Sequence, residues 1–235
     1  AARSARLAII DGDEGLVIFD PDPPTLERYR AAAVDRSARY DVLSEQAGLP
    51  AETLDGAKVE LFSNIEFVDE VDACLKWGAA GIGLYRTEFL YLRSPTPPTE
   101  EEQYQAYSAV IRALDGKPIV IRTLDLGADK LTSYQKTASG EANPVLGLRS
   151  LRFSLRHPEL FRTQLRALLR AAVQGDVRIL FPLVSTLDEL RRARAMLGEV
   201  AAELRAEGRS LRDAVPVGIM VEVPAAALMA DQFAK

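Results

Sequence analysis

Five short apolar runs, each followed by a stretch of different character, constrain this chain more than any other feature. They occupy residues 59–63, 81–85, 118–121, 177–181 and 217–221. Short, continuous apolar runs are the pattern of parallel strands covered on both faces. Helical composition fills residues 67–77, about 99–114, about 148–173 and 188–207. Thr99 is an N-cap there, and Glu102 completes a capping box. A long irregular stretch spans 127–147. Strand alternating with helix means α/β. Five units fit either an open doubly wound sheet or the first part of an eight-stranded barrel, and the pattern alone does not separate the two.

A different region comes first. Residues 7–10 and 15–19 read as two strands joined by the polar turn Asp11-Gly12-Asp13-Glu14, a hairpin signature. Pro21, Pro23 and Pro24 break the chain. Residues 25–46 are helical in composition, with Thr25 as N-cap and Gly48 as stop, and their sparse apolar residues suit a connecting helix. The chain opens Ala1-Ala2-Arg3, and a helix over 224–230 has no capping signal after it, so both ends read as cut from something longer.

Composition excludes several classes. A net charge of -5 over 235 residues, with pI near 5.2, argues against a general nucleic-acid binder. One cysteine, Cys74, allows no intramolecular disulfide and suits a reducing, cytoplasmic setting. No secretory signal is present, and the apolar stretches are far too short to span a membrane.

The charged residues at strand ends carry the chemistry. Arg86 follows the second run, Arg122 the third and Glu222 the fifth. In a barrel all three fall on the C-terminal rim, where active sites are built. Arginine's planar fork matches phosphate or carboxylate oxygens. A rim glutamate can hold a hard cation such as Mg2+, with ligand oxygens completing the shell. Gly81 and Gly83 allow close packing beside them. The same residues equally fit ordinary rim ion pairs that stabilise strand ends.

Four motifs, in order along the chain, carry a family resemblance. They are Gly81-Ile82-Gly83-Leu84-Tyr85-Arg86-Thr87-Glu88-Phe89-Leu90, then Ile121-Arg122-Thr123-Leu124-Asp125 with Gly127-Ala128-Asp129-Lys130. Asn143-Pro144-Val145-Leu146-Gly147-Leu148-Arg149 and Gly218-Ile219-Met220-Val221-Glu222-Val223-Pro224-Ala225-Ala226 complete the set. Together they resemble the phosphoenolpyruvate-protein phosphotransferases, enzyme I of the sugar phosphotransferase system. Tyr85 and Phe89 favour that family over pyruvate phosphate dikinase and phosphoenolpyruvate synthase.

The resemblance implies a (β/α)8 phosphoenolpyruvate-binding barrel over residues 56–235, of which about five strands lie in this chain. It makes residues 24–55 a helical linker and residues 1–23 the tail of a mobile phosphohistidine domain. It implies that Arg86, Arg122, Arg149 and Lys130 bind phosphoenolpyruvate and that Glu222 is one of two Mg2+ ligands. The implied reaction moves the phosphoryl group to a histidine of the parent enzyme, then to a histidine phosphocarrier protein, releasing pyruvate. The implied parent is a homodimer that engages neither nucleic acid nor membrane. The acceptor histidine's motif, a second metal aspartate and a proton-donating cysteine motif do not occur in these residues, so this chain alone is expected to be inactive, with no catalytic residue of its own. Five barrel strands would leave two open edges, which favour self-association. A phosphoenolpyruvate-sensing module without turnover, or a relative of the dikinase and synthase, would be the alternatives.

Two substitutes for the missing groups are set aside. His157, the only histidine, precedes Pro158 in a basic helical region and reads as an exposed helix-end residue rather than a phosphoryl acceptor. Cys74 suits a small buried residue. Arg162, Arg166 and Arg170 recur at helical spacing and read as a solvated face, with Leu165, Leu168 and Leu169 turned inward.

Overall fold

The structure is a computed structural model and describes residues 5–127 and 147–235. The chain divides into two compact units, residues 1–50 and 51–235. In the first, β1 (Ala8–Asp11) and β2 (Leu16–Phe19) form an antiparallel hairpin. The turn closes because the Asp11 carboxylate accepts the N–H groups of Asp13 and Glu14, each at 3.0 Å, and Gly15 takes φ +67°. Helix α1 (Pro23–Gln46) follows. It starts at Asp22 rather than Thr25, because Asp22 accepts the Thr25 N–H at 2.8 Å. Pro23 and Pro24 fill first-turn positions that need no N–H. No residue of α1 is buried, in keeping with its sparse apolar pattern.

The second unit is built on five parallel strands in sequential order: β3 (Phe62–Ile65), β4 (Gly81–Arg86), β5 (Ile119–Arg122), β6 (Val177–Phe181) and β7 (Val217–Ile219). Between and after them lie α2 (Val71–Lys76), α3 (Glu88–Leu92), α4 (Glu100–Ala113), α5 (Ser150–Arg156), α6 (Pro158–Ala171), α7 (Leu187–Ala206), α8 (Pro224–Leu228) and α9 (Ala230–Phe233). The first strand lies about three residues later than the apolar run suggests. The single helix expected over 148–173 breaks at His157, because Pro158 has no N–H and disfavours helical backbone before it. Thr99 and Thr186 both cap their helices in capping boxes, with Glu102 and Glu189 as partners.

Among the described residues only one face of this sheet is densely covered. Ile119, Ile121, Val177, Ile179 and Phe181 are buried in one core with Tyr107, Val110 and Ile111 of α4, Phe161, Leu165 and Leu168 of α6, and Ala193, Val200 and Leu204 of α7. The alternating positions Val120, Arg122, Arg178 and Leu180 are partly or fully exposed. The runs look continuous because apolar side chains also occupy part of the open face. Gly81 and Gly83 permit the tight β3–β4–β5 contact. A Cβ on Gly81 would lie 2.4 Å from the Pro118 carbonyl oxygen, and one on Gly83 would lie 2.9 Å from the Phe62 Cβ.

The arginines of α6 are not a solvated face. Arg166 donates to Glu100 at 2.6 Å and to Glu207 at 2.7 Å, and Arg170 donates to Glu100 at 2.6 Å and to Glu101 at 2.7 Å. Arg162 pairs with Glu199 at 2.9 Å and also with Glu203. The arginines therefore bind α6 to α4 and α7, above the buried Leu165, Leu168 and Leu169. Burial raises the Glu100 carboxyl, but hydrogen bonds from Arg166 and Arg170 outweigh this and hold it below the ordinary value. A carboxylate lowered on folding contributes stability that is full above its unfolded value of 4.5 and is lost as pH falls through the folded value. Glu100→Ala should therefore flatten the acid limb of a series of thermal melts and cost about 1–2 kcal/mol at neutral pH.

Candidate functional site

Strands β4 and β5 end side by side on Arg86 and Arg122, which are register partners. Neighbouring strands lie roughly 4.8 Å apart, so two cationic side chains leave the sheet close together and need counter-charge. Each has it. Arg86 donates from Nη1 to Glu66 Oε1, just past β3, at 2.8 Å. Arg122 donates from Nη2 to Glu88 in the first turn of α3, and from Nη1 to Asp125 Oδ2 at 3.1 Å. Arg149, which caps α5, donates to the other oxygen of Asp125 at 3.1 Å. Ser150 Oγ also donates to Asp125, and a β-bridge joins Gly127 to Arg149. One carboxylate thus bridges two guanidinium groups.

This cluster differs from an ordinary strand-end ion pair in its burial. The side chains of Arg122, Glu88 and Asp125 are only 11%, 9% and 12% exposed. Burying charges costs more than a surface staple would justify, unless their partners satisfy them. Burial pushes the Glu88 carboxyl above its ordinary value, against the opposing pull of Arg122. Glu88 Oε2 and Arg122 Nε are buried without hydrogen-bond partners among the described residues. Buried, incompletely paired charge at a strand end is where function is to be sought.

A buried polar network supports the rim from below. Thr87 Oγ1 donates to the Arg122 carbonyl at 2.8 Å. Gln164 of α6, fully buried, donates to Thr87 Oγ1 and to the Tyr107 hydroxyl, each at 3.2 Å, and accepts from the Leu124 N–H at 2.9 Å. Tyr107 and Tyr91 both donate to Gln103, at 3.0 Å and 3.2 Å. Rotating Thr87, Tyr107 or Gln164 would break at least two of these bonds.

Glu222 lies three residues beyond β7 and is exposed. Its Oε1 accepts the Leu183 N–H at 2.6 Å, which fixes it beside the end of β6. Leu183 adopts φ +54°, an uncommon left-handed backbone for a non-glycine residue. Arg122 reaches toward β7 as well, with Nη1 at 3.6 Å from Met220 Sδ. The structure thus brings Arg122 and Arg149 onto one carboxylate, places Arg86 beside Arg122 on its own partner, and puts Glu222 on the same edge. Lys130 lies outside the described residues. Among the described residues no group of three metal-ligating side chains gathers. Mg2+ commonly binds through one or two carboxylates, with waters and phosphate oxygens supplying the rest, and the second oxygen of Glu222 suits that mode.

Glu88, Asp125 and Gln164 belong to the site although sequence reasoning gave them no role. Thr87 and Glu88 directly follow a rim arginine, and Asp125 lies three residues past another, so their positions were a usable signal. Gln164 had none, lying within a helix of leucines and arginines. His157 does lie at a helix end, between α5 and α6, but it is not exposed: its ring packs 4.4 Å from that of Phe153 and its side chain is 19% exposed, and Cys74 is only partly buried against the core.

Comparison with known proteins bears on this edge. A family model described as the PEP-binding domain of PEP-utilising enzymes matches residues 41–235. Curated relatives named phosphoenolpyruvate-protein phosphotransferase include one from Geobacillus stearothermophilus, 48% identical over 237 residues, covering 99% of this chain and 40% of the relative. One from Listeria monocytogenes is 44% identical over 232 residues, covering 97% of this chain and 40% of the relative. One from Staphylococcus aureus strain MRSA252 is 44% identical over 238 residues, covering 100% and 41%. The chain thus spans about two fifths of the length of the curated relatives it matches.

The polar network makes its own test. Gln164→Leu strands the buried Leu124 N–H, removes the bonds donated to Thr87 Oγ1 and the Tyr107 hydroxyl, and should destabilise the chain by about 2–4 kcal/mol in chemical denaturation. A cost under about 0.5 kcal/mol would mean that the network does not hold the rim.

Proposed function

Because the chain belongs to the PEP-utilising enzymes through their PEP-binding domain, we propose that its strand-end rim binds phosphoenolpyruvate for phosphoryl transfer to a protein histidine. The observation that carries this reading is the Asp125 carboxylate, held between Arg122 and Arg149. Two guanidinium groups that share one small oxyanion have the spacing to hold another in its place. Arg86, the register neighbour of Arg122, adds a third cation at the edge. The sequential parallel strand order favours a barrel continuing past β7, since doubly wound sheets reverse their order.

In this reading the arginines bind the phosphate and carboxylate oxygens of phosphoenolpyruvate and neutralise charge on the phosphoryl group as it leaves. Lys130 would assist them, and Glu222 would hold Mg2+, whose positive charge would offset that of the ligand's oxygens. The phosphorus–oxygen bond of the ester breaks, a phosphorus–nitrogen bond forms on the acceptor histidine, and the enolate gains a proton to become pyruvate. Positioning and electrostatics supply the catalysis, as is general for phosphoryl transfer. For the whole protein we propose a cytoplasmic homodimer of the sugar phosphotransferase system with a histidine phosphocarrier as next acceptor. Residues 1–23 would be the tail of its phosphohistidine domain and 24–55 its linker. No helix of the described residues is long and apolar enough to cross a membrane.

Titration calorimetry of this chain with phosphoenolpyruvate in Mg2+ checks the reading. Saturable binding is expected, weakened when Mg2+ is removed. Arg149→Ala should weaken it roughly 10- to 100-fold, the loss of a charge-assisted contact. Arg149 suits this test because its side chain is 31% exposed and its removal leaves Arg122 paired. No binding, or binding unaffected by Arg149→Ala, would overturn the assignment.

A further inference from the structure

Resting on the reading that this rim binds phosphoenolpyruvate, we propose that Thr87 and Glu88 form a clamp that positions Arg122 for the ligand, with Glu88 a positioning residue and not a bare counter-charge.

The argument begins with three consecutive residues at the tip of β4. Arg86 ends the strand beside Arg122. Thr87 donates to the Arg122 carbonyl at 2.8 Å, which fixes that residue's backbone. Glu88 accepts from Arg122 Nη2, which fixes its side chain. One turn of chain therefore holds Arg122 at both ends and carries Arg86 with it, so the two arginines cannot drift independently. The clamp has its own support, since Gln164 Nε2 donates to Thr87 Oγ1 at 3.2 Å. Asp125 closes the arrangement from the β5 side at 3.1 Å.

A simpler role does not fit. A negative charge within hydrogen-bond reach of an anion-binding arginine repels the incoming anion, so as a bare charge Glu88 would weaken binding. As a mere staple it is poorly placed, because its second oxygen is buried without a partner among the described residues and its side chain is 9% exposed. For stability alone, replacing the whole Arg122–Glu88 pair by well-packed neutral groups would serve as well or better. What a carboxylate adds is a directional hold on one guanidinium edge, leaving the rest of the fork aimed by Asp125 and Met220.

The two roles predict opposite signs, which makes the test decisive. Glu88→Gln keeps the shape and removes the charge. Under the clamp it should weaken phosphoenolpyruvate binding by on the order of tenfold, since small misplacements of a binding group are costly, while Arg122 keeps Asp125 as a counter-charge and the chain still folds. Thr87→Val should weaken binding in the same direction and serves if Glu88→Gln fails to fold. Nitrogen-detected NMR of the arginine side chains gives a reading independent of any ligand. The Arg122 guanidinium should rotate slowly in the wild-type chain and faster in Glu88→Gln. Unchanged or tighter binding in Glu88→Gln, with normal folding, overturns the clamp while leaving the binding site intact. A wild-type chain that takes up no phosphoenolpyruvate overturns the functional reading on which the proposal rests. An Arg122 side chain that already rotates freely in the wild type overturns the clamp itself.

Discussion

The parallel pairing of β4 with β5 is the contact on which the rest of this chain depends. It sets Arg86 beside Arg122 at a strand end and so places two positive charges at one edge of the sheet. Everything nearby answers that placement. Glu66, Glu88 and Asp125 neutralise the arginines, Thr87 ties the two strand tips together, and Gln164 anchors the tie to α6. The pairing itself requires Gly81, because a Cβ there would collide with the Pro118 backbone, while Gly83 makes room for Phe62 of β3 on the other side. The glycines of the motif thus act on packing, and through packing on charge.

Stability and function draw on different faces of the same sheet. The helix-covered face holds the core and is secured by the glutamates that pair with the arginines of α6. The other face and the strand ends carry buried, partly unpaired charge, an arrangement that adds little to stability. Such a division leaves the rim able to carry chemistry while the core supports it.

Much of this was legible in the residues. The strand–helix alternation gave the parallel α/β unit, and Arg86, Arg122 and Glu222 stood out because charge at the end of an apolar run is conspicuous. Thr99 and Glu102 announced a helix start that the structure contains. Three things were hidden for physical reasons. The Glu88–Arg122 and Asp125–Arg149 pairs arise between segments that only folding brings together. Gln164 sits in a helix whose periodicity reports only which side faces the core, and a polar residue on that side carries no mark of its partners. The α6 arginines looked solvated because their glutamates lie 37 to 70 residues away in sequence, on α4, on α7 and at the α7 C-cap. The break at His157 was written in Pro158, whose effect on the preceding backbone outweighs the helical composition around it.

The central claim is that the rim around Arg122 receives the phosphate of phosphoenolpyruvate. A crystal structure of the chain grown with phosphoenolpyruvate and Mg2+ addresses it most directly. The account predicts phosphate oxygens within hydrogen-bond distance of Arg122 and Arg149, in the space the Asp125 carboxylate now bridges, with the metal at Glu222. Ligand density elsewhere on the chain, with the Arg122–Asp125–Arg149 bridge unchanged, would contradict it.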